Sequence, residues 1–100
     1  RKKSLQELTI NDLCIACRQN IFPEYVVPLA LEKLELNPLI GHQYDGELLV
    51  ALERTSSRYW EKHDGERRIL VELLTGSLPK IKGEELRSVL ESLLSRLQVR

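Results

Sequence analysis

Neither sign of charge predominates in this 100-residue chain: fifteen lysines and arginines face fifteen aspartates and glutamates, for a formal net charge of zero. That balance leaves no global field to draw in a phosphate backbone or an anionic lipid surface, so a nucleic-acid role would need a local patch. Apolar runs are short. None approaches the roughly 20 residues that span a bilayer, and no signal-peptide layout opens the chain, so a cytoplasmic protein is expected. Two cysteines are too few for a disulfide framework. The five glycines stand singly, which excludes a glycine-rich phosphate loop. Internal repeats, low-complexity tracts and linker-like breaks are also missing, and the length fits one domain spanning residues 1–100.

What is present reads as helix. Arg1 to Ser4 form a basic lead-in expected to fray, and Thr9 with Asp12 reads as a helix start, the hydroxyl capping the first turn and the carboxylate near its positive end. The first helix should run from about Ile10 to Gln19, with Ile10, Leu13 and Cys17 on one face. Pro23 suits a first turn, whereas Pro28 lacks an amide hydrogen, so one turn followed by a kink or restart is expected, then a helix from Pro28 to about Leu36. Val27, Leu31 and Leu34 are its apolar stripe, and Asn37-Pro38 ends it.

Leu39 to Gly46 is an elbow. Asp45 is the expected cap of a third helix, Gly46 to about Thr55; Ser56 or Ser57 caps a fourth, Ser57 to His63, bringing Tyr59 and Trp60 to the core. Asp64-Gly65 should punctuate, followed by a fifth helix from Glu66 to Thr75 and a last one from Gly83 to Leu97. Leu86, Val89, Leu90, Leu93, Leu94 and Leu97 give the last one an unbroken stripe. With no strand alternation anywhere, the fold class is all-α: a bundle of five to six short helices around one core.

The candidate chemistry is thin. Cys14 and Cys17 have the spacing of half a zinc or redox site. His42 and His63 lack ligand spacing, however, and both cysteines fall inside a predicted helix with no strand before it. Buried packing of two free thiols is the expected state, with a redox or metal protein as the enzyme-side rival. The histidines read as surface or turn residues, and no nucleophile turn accompanies them, so neither enzyme activity nor a cofactor nor a metal is expected. The basic spots at Glu66-Arg67-Arg68 and Lys80-Ile81-Lys82 read as solvated faces. Acids concentrate in the middle of the chain, at Glu24, Glu32, Glu35, Asp45, Glu47 and Glu53; this fits an acidic surface for a basic partner or an ordinary mixed surface. Trp60 reads as core rather than as an interface anchor.

The ordered set Ser4–Leu13, Gln19-Asn20-Ile21, Tyr25–Glu32, Asn37-Pro38-Leu39, Tyr44–Leu49 and Tyr59-Trp60 resembles the small immunity proteins of bacterial contact-dependent growth inhibition (CDI) systems, over about Ser4 to Glu72. The resemblance implies a stoichiometric inhibitor without catalysis, which binds the toxic C-terminal domain of a delivery protein, often a nuclease, in a complex expected to be 1:1. Occlusion of the toxin's basic substrate groove is the implied mechanism. The expected contacts are Tyr44, Asp45, Glu47 and Glu53, on the elbow and third helix. A helical adaptor with another protein partner would have nearly the same composition. The last helix falls outside the resemblance.

Overall fold

Thr9 opens the first helix by a reciprocal cap. Its hydroxyl accepts from the Asp12 amide at 3.1 Å, and the Asp12 carboxylate accepts from the Thr9 amide at 3.0 Å, satisfying two donors that a helix start leaves without partners. The computed structural model describes residues 8–98, so the expected fraying of Arg1 to Ser4 lies outside the described residues. Among those described there are six α-helices and no strand: α1 (Ile10–Arg18), α2 (Pro23–Leu36), α3 (Glu47–Ala51), α4 (Ser57–Lys62), α5 (Asp64–Ser77) and α6 (Glu84–Gln98). Two 3₁₀ turns, Leu52–Arg54 and Leu78–Lys80, follow α3 and α5. The all-α expectation holds.

Three expected boundaries are corrected. Pro28 does not restart a helix but lies inside a continuous α2. With Pro23 in the first turn, the only backbone bond Pro28 forfeits is to Glu24, on the exposed side, where water can serve the freed carbonyl. Asp45 does not cap α3; Gly46 holds the cap position at φ 90°, and no side chain caps it. The break before α5 falls at His63 rather than at Asp64-Gly65. Asp64 belongs to the first turn, where it pairs with Arg67 at 2.7 Å and Arg68 at 2.9 Å.

One core joins every helix. Leu13, Val27, Leu34, Leu48, Leu52, Leu70, Leu74, Leu90 and Leu93 are each essentially sealed from solvent, as is Trp60. Cores of this kind derive most of their stabilisation from burying such side chains, at about 1.5–3 kcal/mol each. Through these side chains α1 packs on α2 and α3, and α5 on α6. Val89 departs from the α6 stripe and is 39% exposed, lying on the rim of the helix beside Leu86.

Arginines fasten the loops to this core. Arg67 donates to the Leu97 carbonyl at 3.0 Å, tying α5 to the end of α6, so it is not merely a solvated basic spot. Arg96 reaches the Glu53 and Thr55 carbonyls at 3.0 and 3.1 Å, and Arg87 reaches that of Ile81 at 2.6 Å. Each of these carbonyls sits where a helix has ended and the backbone needs another donor.

Candidate functional site: an elbow held from within

Between α2 and α3 the chain turns through residues 37–46. The Asn37 side chain accepts from the Leu39 amide at 3.2 Å, a local turn that a residue of this type forms readily. Backbone bonds from Ile40 to Asn37, from Gly46 to Leu39 and from Leu48 to Ile40, at 2.8–3.2 Å, then close the loop on itself. Gly41 has no substitute in this turn: a Cβ there would lie 2.0 Å from the Tyr44 carbonyl oxygen and 2.7 Å from the Glu47 Cβ. Gly46, in the left-handed region, passes close over Leu86 of α6.

Glu47 occupies the centre of the elbow. Its residue is 2% exposed, and one carboxylate oxygen accepts from the amides of His42 and Gln43 at 2.7 and 2.8 Å, while the other accepts from Arg18 of α1 at 3.1 Å. The Gln43 amide chiefly, with the His42 amide and Arg18, holds the carboxyl below the ordinary glutamate range against the opposing effect of burial. The ion pair is half-open on the arginine side, where the Arg18 side chain is 44% exposed. This carboxylate therefore fixes the loop's shape, with no lone pair turned to the surface.

The other expected contacts are arranged differently. Tyr44, 47% exposed, and Asp45 stand outward on the tip together with His42 and Gln43. Asp45 shares an open cleft of about 330 Å³ with Lys80 and Lys82, and half-buried Glu53 shares another of about 340 Å³ with Arg96. The fold therefore brings Tyr44, Asp45 and Glu47 together on one elbow, with cations beside Asp45. Glu53 lies farther along, in the 3₁₀ turn.

Cys14 and Cys17 are buried free thiols on the inner face of α1. Burial first, then the neighbouring Glu47 charge, pushes Cys14 up to about 11; burial pushes Cys17 up to about 12. Both are therefore neutral thiols at physiological pH, a state unsuited to nucleophilic attack. No three His, Cys, Asp or Glu side chains converge into a metal-holding group among the described residues. His42 is exposed at the elbow tip, and His63 is half-buried at the α4–α5 break, its ring stacked on Tyr59 with centroids 4.0 Å apart. Trp60 packs in the core with its ring edge-on to Tyr59.

Arg18 was missed from sequence because its partner lies 29 residues away, and nothing local marks Glu47 as the carboxylate that turns inward. The available signal was the adjoining Gly41 and Gly46, which bracket a tight loop whose amides need an acceptor.

A family model described as CDI immunity proteins matches residues 1–70. The chain belongs to that family, and its role is that of an immunity protein, which implies a cognate toxin protein as partner. Searches among curated proteins and among solved structures found no match. The family segment ends within α5, so α6 lies outside it while completing the same core. No helix among the described residues is long and apolar enough to cross a membrane.

Proposed function

We propose that this chain protects the cell that makes it by binding one cognate toxin domain, a nuclease, in a 1:1 complex in the cytoplasm, covering the toxin's active site or substrate groove. The family match over residues 1–70 carries the reading. The elbow supports it by its construction: Glu47 and Gly41 fix a loop whose tip offers Tyr44 and Asp45, with Glu53 beyond. A loop already held in one shape loses little entropy on binding. Tyr44 supplies a large amphipathic contact, Asp45 and Glu53 supply charge, and Glu47 acts by holding the loop rather than by touching the partner. The chain needs no catalysis of its own for this role, because occupying the groove is enough to stop the toxin.

The test uses the cognate toxin domain, sought in the reading frame immediately upstream of this one. Cells co-expressing both should survive, and the pair should co-purify. A Tyr44→Ala, Asp45→Lys variant should keep its thermal stability and lose about tenfold or more in affinity. Unchanged affinity in that variant would move the contact away from the elbow. Death of the co-expressing cells, with no complex formed, would overturn the reading itself.

A further inference from the structure

On the face of α2 away from the core, Glu24, Tyr25, Pro28, Glu32, Glu35 and Leu36 are all exposed. Their spacing of three and four residues sets them along one stripe, about 18 Å long at 1.5 Å per residue. The stripe carries three carboxylates. Pro28 and Leu36 fill the positions from which a cation could pair with Glu24 or Glu32, and none of the three acids makes an ion pair among the described residues. Lys33, the helix's one cation, is half-buried on another face. The elbow acid Asp45 shares its cleft with Lys80 and Lys82, and Glu53 shares another with Arg96.

At the start of the stripe the α1–α2 turn pushes apolar side chains into solvent: Phe22 is 68% exposed, with Tyr25 at 61% and Ile21 at 41%. Soluble proteins rarely leave large apolar groups clustered in this way unless they meet a partner. Two features of this face also work against folding. Phe22 sits in the left-handed region at φ 43°, ψ 57°, immediately before Pro23, a conformation that a bulky residue adopts rarely and that a following proline disfavours further. Glu32 and Glu35 lie toward the C-terminal end of α2, where the helix dipole disfavours acids.

We propose that this face, Phe22 and Tyr25 with Glu24, Glu32 and Glu35, is the principal docking surface for the toxin domain, seating the aromatics in an apolar pocket rimmed by the basic residues of the toxin's substrate groove. This rests on the reading that the chain binds a cognate toxin, and it assigns to α2 the larger share of the electrostatic attraction, beside that of Asp45 and Glu53. Charge complementarity selects the occupant: an uncompensated acidic stripe on a chain of zero net charge attracts a basic partner and repels a second copy of itself.

Stability and affinity should respond in opposite directions, which a merely structural role would not produce. Phe22→Gly relieves the left-handed strain, and Glu32→Lys with Glu35→Lys suits the helix end, so both variants should melt at or above the wild-type temperature. Against the cognate toxin domain, Phe22→Gly should weaken affinity about 30-fold or more, and the double lysine variant about tenfold or more with a shallower salt dependence. Phe22→Asn, which tolerates the same backbone region, should reproduce the loss of affinity without disturbing the loop. Wild-type affinity in all three variants would overturn this surface while leaving the toxin-binding reading intact; failure of the wild-type chain to bind would overturn both.

Discussion

A buried carboxylate such as that of Glu47 is stabilising only while it stays charged and fully hydrogen-bonded, and both conditions are met by the Gln43 and His42 amides and by Arg18. Its folded-state pKa is held below the ordinary value of 4.5, chiefly by the Gln43 amide, so its contribution is complete above about pH 4.5 and is lost as the pH falls through the lower folded value. Glu47→Gln should therefore lower stability by about 2 kcal/mol at pH 7, with the gap between the two proteins closing under acid conditions. Urea unfolding at a series of pH values would measure it, and a gap that stays constant down to pH 3 would contradict the role. At this scale the sequence was informative where a residue acts locally. The Thr9–Asp12 cap, the Ser56 cap and the burial of Cys14 and Cys17 all follow from near neighbours. Glu47 did not, because one of the partners that turn it inward is Arg18, on another helix 29 residues away.

At the scale of elements, helix identity came through and helix edges did not. The stripes Val27-Leu31-Leu34 and Leu90-Leu93-Leu97 mark faces that are indeed buried, since periodicity reports burial directly. Edges depend on competition between backbone geometries. Gly46 took the cap position from Asp45 because only a residue without a Cβ sits easily at φ 90°. Pro28 was absorbed into α2 because its missing donor falls on the exposed side of the second turn. The elbow has the least tolerance of any element. Gly41→Ala would drive a methyl group against the Tyr44 carbonyl, and rebuilding the loop around it should cost about 3 kcal/mol, read as a lower midpoint in chemical denaturation. A variant with wild-type stability would show that the loop has another low-energy path.

At the scale of the whole molecule, six short helices are too small to be stable singly and are held by one shared core, with arginines bonding to the carbonyls that end the helices. Among the described residues that core takes in most of the large aliphatic side chains, fully or in part. Phe22, Tyr25 and Leu36 on or beside α2 are the most exposed large apolar groups, and Tyr44 marks the elbow tip. The fold class and the family could be read from residue order, because they depend on apolar pattern and recurring segments. The choice between an acidic surface and a mixed one could not be read in that way. It depends on where the acids stand in three dimensions: the fold pairs Glu47 with Arg18 and sets Asp45 and Glu53 in clefts that also hold cations, while Glu24, Glu32 and Glu35 line one exposed face of α2 without an ion pair among the described residues. The most direct test is the affinity of the wild-type chain for its cognate toxin domain, measured from about 50 to about 500 mM salt. The account predicts a 1:1 complex whose affinity falls at least about tenfold across that range. No complex, or one indifferent to salt, would contradict it.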